Sequence, residues 1–160
     1  MDEFDLPAGK AGKFYNKALK FLSYRPRSEH EVVKNLLKKK LPEDLIRKII
    51  TRLKEYKFLD DEEFTKWWIE QRTNFKPRSL RLIKIELKQK GISNELIEHA
   101  IESLQLTISS DLESARKLIE RKKEKWKNLT REKKFQKVAR HLASKGFNYD
   151  IIKEIFKEIS

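Results

Sequence analysis

The sequence predicts an all-α protein built from three tandem three-helix repeats. Only four glycines and four prolines interrupt its 160 residues. Apolar residues recur at spacings of three and four rather than in alternation, which is typical of helices. At 38% apolar and 39% charged residues, the composition favours long amphipathic helices. A chain of this length buries about 68 to 70% of its unfolded surface, so it can form a core.

The repeats are visible as two stretches with nearly the same frame. YRPRSEHEVVKNLLKKKL begins at Tyr24, and FKPRSLRLIKIELKQKGI begins 51 residues later at Phe75. A third copy lies near the C-terminus, where HLASKGFNYDIIKEIFKEI matches ELKQKGISNELIEHAIESL at an offset of 55. The copies place Leu36, Leu87 and Leu142 at the same position. Such self-similarity predicts one structural unit written three times, with these leucines buried.

The repeats are predicted to span residues 14–59, 60–107 and 108–160, after an N-terminal tail of residues 1–13. Each repeat has room for three helices, which makes nine in all. In the first repeat, Ser28 followed by Glu31 has the spacing of a capping box, which opens the second helix. Pro42 suits the first turn of the third helix.

Turn and cap residues bound the later helices. Asp60 and Glu63 have the capping-box spacing at the start of the second repeat. Gly91 and Gly146 are predicted to end helices in the left-handed conformation, at the position that Lys40 holds in the first repeat. The remaining predicted caps are Ser93, Asn148 and, before the first helix of the third repeat, Ser109, Ser110 or Asp111.

The net charge of +13 indicates a partner with phosphates or a strongly acidic surface. Residues 116–145 contain thirteen Lys or Arg against three Glu, whereas residues 61–110 contain eight of each sign. Clustered cations attract phosphates and release counterions. The alternative is a solvated helical face whose lysines complement the helix dipole. The candidate residues in the third repeat are Lys122, Lys123, Lys125, Lys127, Arg131, Lys133, Lys134 and Lys137.

The repeated Pro-Arg-Ser motif supplies a second set of candidates. Cations at the start of a helix oppose its dipole, and a local conflict of this kind hints at function. The alternative is that the proline shapes a turn, the serine caps the helix and the cations are simply solvated. The candidates here are Arg25, Arg27, Lys76, Arg78, Arg81 and Lys84.

The tryptophans divide between core and surface. Phe64 and Trp68 are four residues apart on one helix, which predicts that both lie in the core. Trp67 points about 100° away from Trp68 and is expected between repeats or partly exposed. Trp126 lies inside the lysine run, where an indole can stack on a nucleobase or an arginine.

Several classes of function are disfavoured. With no cysteine, the chain has neither disulfides nor thiolate sites, which suits a reducing compartment. His30, His99 and His141 lie in separate repeats without ligand spacing, and no phosphate-cradling loop or nucleophile elbow is present. We therefore expect no catalytic residue, no metal and no cofactor. The sequence contains neither a signal peptide nor an apolar run of about 18 residues, which predicts a cytoplasmic protein that does not enter membranes.

Four motifs, in order and spacing, resemble the RecX family of bacterial recombination regulators: ALKFLSYRPRSEHEV, FLDDEEF, IKIELKQKGI and LASKGFNYDIIKEIF. The resemblance covers residues 14–158, and the departures at Lys40, Thr65 and Lys76 affect turns and packing. It implies an elongated, curved helical array. It also implies that the protein binds the RecA recombinase filament on single-stranded DNA and limits its ATPase and strand-exchange activity in DNA repair and the SOS response. Duplex DNA is a further possible partner, and a monomer is expected.

Two other functions fit the same residues. Three-helix units with a charge of +13 are also compatible with a general DNA-binding protein of the helix-turn-helix kind. A helical adaptor that binds only protein is the other alternative. DNA affinity in the absence of recombinase would favour the first, and a lack of any DNA affinity would favour the second.

Overall fold

The structure, a computed structural model, describes residues 9–160, except for the side chain of Ile108. These residues form ten α-helices and one π-helical segment, with no strand among them, which confirms the predicted all-α class. The elements are α1 (Lys10–Tyr24), α2 (Glu29–Lys38), α3 (Glu43–Glu55), α4 (Asp61–Glu70), the π-helical segment (Gln71–Phe75), α5 (Leu80–Gln89), α6 (Asn94–Ser103), α7 (Ile108–Glu120), α8 (Lys123–Trp126), α9 (Arg131–Ser144) and α10 (Tyr149–Ile159).

The described chain divides into two compact units. Unit 1 contains the chain through Trp67 together with Lys88–Ile97. Unit 2 contains Trp68–Leu87 and Glu98–Ser160. Each of the helices α4, α5 and α6 therefore contributes residues to both units.

The core of unit 1 forms where α1, α2 and α3 pack on one another. Val32 and Leu36 of α2 meet Ile49 and Leu53 of α3, and all four side chains are completely buried. Burying an aliphatic side chain of this size contributes about 1.5 to 3 kcal/mol. The apolar period of each helix thus determines which face turns inward.

The core of unit 2 forms in the same way from α7, α9 and α10. Ala115 and Leu118 of α7 pack with Leu142 of α9 and Ile155 of α10, and all are buried. Leu142 is fully buried, as is Leu36 in unit 1. Leu87, at the corresponding position of α5, is fully buried as well. The predicted burial of the three leucines is therefore confirmed.

Most of the predicted caps are confirmed. Ser28 and Glu31 form the capping box that opens α2. Asp60 Oδ1 accepts backbone hydrogen bonds from the first turn of α4, at 3.0 and 3.3 Å. Ser93 and Asn148 cap the last helix of the second and third repeats.

Three details differ from the sequence prediction. The prediction of nine helices is wrong for the described chain, because the lysine-rich segment after α7 forms the short additional helix α8 and α4 continues into a π-helical segment. The prediction that Ser109, Ser110 or Asp111 caps α7 is also wrong. The cap is Thr107, whose N–H donates to Ser110 Oγ at 3.0 Å, because the helix begins at Ile108. Residues 1–8 of the predicted tail lie outside the described residues, and Lys10 already begins α1.

Candidate nucleic-acid interface

In unit 1, the first turn of α2 docks onto the turn that follows α5. The buried Ser28 donates a hydrogen bond from Oγ to the carbonyl of Lys90 at 2.7 Å. Asp61, at the start of α4, accepts the backbone N–H of Glu29 at 2.8 Å. Two groups of the second repeat therefore hold the start of a helix in the first. Ser28, Glu29, Asp61, Lys90 and Gly91 are called the first junction below.

The same arrangement recurs in unit 2, between the first turn of α5 and the turn that follows α9. The N–H of the buried Ser79 donates to the carbonyl of Lys145 at 3.1 Å. Asp111 accepts the N–H of Leu80 at 2.9 Å. The repeated Pro-Arg-Ser motif is thus a docking element between successive repeats. Ser79, Leu80, Asp111, Lys145 and Gly146 form the second junction.

Both junctions require glycine for two reasons. Gly91 and Gly146 have φ of +80° and +90°, in the left-handed region that side chains disfavour. A Cβ on Gly91 would lie 2.5 Å from the Cβ of His30, and one on Gly146 would lie 2.5 Å from Ser79 Oγ. Lys40, the corresponding residue of the first repeat, is exposed at a φ of +59°.

The aspartates resolve the conflict between the cations of the motif and the helix dipole. Asp61 and Asp111 place a carboxylate at the N-terminus of α2 and α5, where negative charge is favourable. Burial raises the pKa of both carboxyl groups, and the N–H bonds that they accept act in the opposite direction. The compensating charge comes from the next repeat, more than 30 residues along the chain.

Two cations beside the first junction share one carboxylate, that of Glu31. Glu31 pairs with Arg25, and its Oε2 lies 3.4 Å from Lys90 Nζ. Burial alone would raise the pKa of Glu31. Hydrogen bonds from the Arg25 guanidinium and the Ser28 N–H, together with the charges of Arg25 and Lys90, hold that pKa below its ordinary value. The cations that approach the first junction are therefore committed to a carboxylate.

The second junction has no such carboxylate, because Leu82 stands where Glu31 stands in unit 1. Burial lowers the pKa of Lys145, and the charges of Arg78, Lys122 and Arg72 lower it further. Burial also lowers the pKa of His141, with Lys145, Lys122 and Arg78 again contributing. The pKa values of Lys145 and His141 are thus lowered by neighbouring positive charges, which indicates cations held close together without enough negative charge. Arg72, Arg78, Lys122, His141 and Lys145 are called the cationic cluster.

One acid faces the cationic cluster within the described residues. Glu86 Oε2 lies 3.3 Å from Arg72 Nε, but the approach lacks hydrogen-bond geometry. Arg72 Nε and Glu86 Oε1 are both buried without a hydrogen-bond partner in the described protein. A buried donor without a hydrogen bond is costly, so this contact satisfies Arg72 only in part. Lys122 and Lys145 form no ion pair with any described residue. The cluster therefore retains a net positive charge.

The predicted cations of the Pro-Arg-Ser motifs have diverse surroundings. Arg25 pairs with Glu31, and Arg27 lies over the Phe21 ring at 4.0 Å. Lys84 pairs with Glu98 at 3.0 Å, and Arg81 donates to the carbonyl of Gly146 at 3.3 Å. Each of these four has a structural partner. Lys76 is exposed, and Arg78 belongs to the cationic cluster.

The predicted cations of the third repeat are mostly exposed. Lys122 joins the cationic cluster, and Lys127 pairs with Glu124 at 3.0 Å. Arg131 lies over the ring of Phe156, 5.4 Å from its centroid. Trp126 packs against the core of unit 2 and meets the His141 ring edge-on at 5.9 Å. Lys123, Lys125, Lys133 and Lys137 are exposed, and Lys134 is half-buried.

The other tryptophans are placed as predicted. Phe64 is 1% exposed and Trp68 is 9% exposed, so both belong to the core. Trp67 is half-buried, with its ring 6.2 Å from that of Phe64 and 5.9 Å from the Arg25 guanidinium. Its contacts are therefore with the protein itself.

Arg72, His141 and Lys145 are not among the binding residues that the sequence predicts. His141 resembled a scattered surface histidine, and Arg72 and Lys145 lie outside both runs of candidates. A comparison of the repeats could have identified the second junction as a site with unpaired cations. Lys90 and Lys145 both precede a junction glycine, but the carboxylate at position 31 is replaced by a leucine at position 82.

Two further properties bear on function. Among residues 9–160, no group of three or more metal-ligating side chains is placed to hold an ion. Every helix in the described part of the chain is too short or too polar to traverse a bilayer.

The fold and the site define a class, namely helical tandem-repeat proteins that present a cationic cluster at a junction between repeats. Three family models match, described as the first, second and third three-helix domains of RecX, at residues 15–53, 60–101 and 109–156. The chain belongs to the RecX family. The family is one of regulatory proteins, which agrees with the expectation that the chain is not an enzyme.

Individual relatives agree with this assignment. A protein of Bacillus licheniformis named regulatory protein RecX is 36% identical over 99% of this chain. A protein of the same name from Finegoldia magna is 33% identical over 94% of this chain and 73% of its own length. The crystal structure of RecX from Lactobacillus salivarius superimposes with a TM-score of 0.72 at 30% identity, over 93% of this chain and 96% of that one. The chain spans 61%, 53% and 59% of the length of three Bacillus and Oceanobacillus relatives.

Proposed function

We propose that this protein binds the RecA recombinase filament on single-stranded DNA and limits its ATPase and strand-exchange activity. It acts in the cytoplasm as a regulator without catalysing a reaction itself. The names of its relatives as regulatory proteins support a regulatory role. The observation that carries the proposal is the cationic cluster, in which the Lys and Arg side chains outnumber Glu86, the described acid that faces them.

An anion is the ligand that such a cluster favours. Like charges held together raise the free energy of the unbound protein, and a phosphate or carboxylate placed among them relieves it. A recombinase filament on DNA carries phosphates along the strand and carboxylates on its protein surface, and phosphate contacts also release counterions. The first junction is an internal comparison, because Glu31 already occupies the corresponding place there.

A strand-exchange assay with the cognate recombinase tests this proposal. Replacing Lys122 and Lys145 with glutamine removes two charges from the cationic cluster. Each charged hydrogen bond lost costs about 1.5 to 3 kcal/mol, so we expect at least about a 10-fold increase in the concentration that halves strand exchange. The matched control replaces Lys39 and Lys48, which are exposed on unit 1, with glutamine and should inhibit like the unmodified protein.

Two outcomes of this assay would contradict the proposal in different ways. An unmodified protein that fails to slow strand exchange at saturation would overturn the regulatory proposal. Equal weakening by the two double variants would mean that total charge, rather than the cationic cluster, governs binding.

General DNA binding is the second candidate, favoured by the net charge of +13 and the three-helix domains. It predicts similar affinity for DNA with and without recombinase, and no inhibition beyond what occupation of the DNA explains. Titration of DNA alone, and then of DNA coated with recombinase, distinguishes the two functions.

A further inference from the structure

A small cavity opens beside the cationic cluster in unit 2. Its volume is about 110 Å³. Ordinary small-molecule sites measure about 300 to 1,000 Å³, so this cavity has room for a single ring-sized group. It is called the Trp126 slot, and its lining residues are Ile119, Lys123, Trp126, Lys127, Lys134 and Ile159.

The lining combines apolar walls with a cationic rim. Ile119 is buried, Ile159 is half-buried, and the indole of Trp126 completes the apolar surface. Lys123 and Lys134 form no ion pair within the described residues, so their charges remain available to a ligand. A flat aromatic group with an attached negative charge matches both parts of this lining. Nucleotides of single-stranded nucleic acid have that chemistry, because their bases stack on aromatic side chains while their phosphates lie beside cations.

The slot is also continuous with the cationic cluster. The Trp126 ring meets the His141 ring edge-on at 5.9 Å, and His141 belongs to the cluster. A strand whose phosphates lie at the cluster thus has the slot within reach of a neighbouring base. Bases of a duplex are paired and stacked, so they cannot enter the slot without being extruded.

We infer that the Trp126 slot takes one unstacked nucleobase and so gives this protein a preference for single-stranded over duplex DNA. This inference rests on the DNA-binding part of the proposed function. Stacking of one base on an aromatic side chain is worth about a 10-fold change in affinity or more. The lysine rim holds the adjoining phosphates.

The test compares a labelled oligothymidylate of about 16 nucleotides with an abasic strand of the same length, because both carry the same phosphates. At fixed salt, we expect the protein to bind the oligothymidylate about 10-fold more tightly. Two variants should lose this preference and keep the affinity for the abasic strand: Trp126→Leu, which removes the indole, and Ile159→Phe, which fills the slot and keeps the indole. Thermal unfolding checks that both variants are folded.

A matched control and a second readout complete the experiment. Tyr149→Leu also removes an aromatic ring from unit 2, at a position that is 63% exposed and outside the slot, and should keep the preference. Tryptophan fluorescence should be quenched by the oligothymidylate but not by the abasic strand, and Trp126→Leu should abolish that quenching.

Equal affinity of the unmodified protein for the two strands would overturn the slot and leave the proposed function standing. If both folded slot variants still bound the oligothymidylate more tightly than the abasic strand, the slot would also be overturned. Absence of binding to either strand would overturn the slot together with the DNA-binding part of the proposed function.

Discussion

Position 31 and its counterpart, position 82, show how one side chain changes the electrostatics of a junction. The surrounding backbone is docked in a similar way at both places, since Ser28 and Ser79 each bond to the carbonyl before a glycine. Glu31 forms ion pairs with two cations in unit 1, whereas the apolar Leu82 forms none in unit 2. The cations of the first site are therefore paired with a carboxylate, while the second site keeps a net positive charge, which is why we propose it as the anion-binding site.

Glu31 should make the stability of the protein depend on pH. Its pKa is lower in the folded chain than in the unfolded chain, so its contribution is present above its ordinary pKa and is lost as pH falls through the folded pKa. Replacing Glu31 with glutamine should cost about 1 to 3 kcal/mol at pH 7, since Arg25 and Lys90 lose their partner. Urea unfolding at several pH values should show this difference shrinking below about pH 4.3.

The exposed Glu95 provides the control for this experiment. Glu95→Gln should change the stability at pH 7 by no more than about 0.5 kcal/mol. A loss that is equally large at pH 7 and pH 3 would contradict the role assigned to the charge of Glu31.

At the scale of helices, the sequence predicts those caps whose hydrogen-bond partners are close neighbours in the chain. The caps at Ser28, Ser93 and Asn148 are readable because each bonds to a group three residues away. The local sequence indicates Asp111 as a cap of its own helix, but its hydrogen-bond partner, Leu80, lies 31 residues earlier. The helical period likewise identifies the buried leucines, but it does not reveal which helix starts dock on another repeat.

The three equivalent leucines supply a test of the repeat at this scale. Replacing Leu36, Leu87 or Leu142 with alanine should cost about 2 to 5 kcal/mol each, because each leaves a cavity in a packed core. Thermal or urea unfolding measures the loss. Leu37→Ala is the matched control, at an adjacent position that is 55% exposed, and should cost much less. If all three core substitutions matched the control, the equivalence of the repeats would be wrong.

At the scale of the whole molecule, counting charges locates the basic third repeat but not the cationic cluster. Lys122 was found because lysines crowd residues 122–127. Arg72 and Lys145 were not found, because they approach Lys122 through tertiary packing across more than 20 residues of sequence on either side. A local count of charge also does not show which cations are paired with a carboxylate. It therefore does not distinguish Arg25, which pairs with Glu31, from Arg78, which belongs to the cationic cluster.

The salt dependence of binding should report on the cationic cluster. Each phosphate contact on a single strand contributes about 0.7 to the slope of log affinity against log salt. The Lys122→Gln and Lys145→Gln double variant should therefore have a slope for single-stranded DNA that is shallower by about 1.4. The Lys39→Gln and Lys48→Gln control should keep the original slope. Parallel slopes for the two variants would show that the cluster does not meet phosphates.

The paired junctions have a consequence for how such proteins change length in evolution. The second domain takes part in both junctions. Its turn at Gly91 receives the first turn of α2 from the first domain, and its own Ser79 docks on the turn after α9 in the third domain. The first domain has Lys40 in place of the glycine, and α9 of the third domain is capped by Thr130 and has no Pro-Arg-Ser motif before it. An in-frame gene duplication covering residues 60–107 would thus add a domain whose two ends already fit their neighbours. A chain lengthened by a copy of the middle domain would therefore need no new kind of contact between domains.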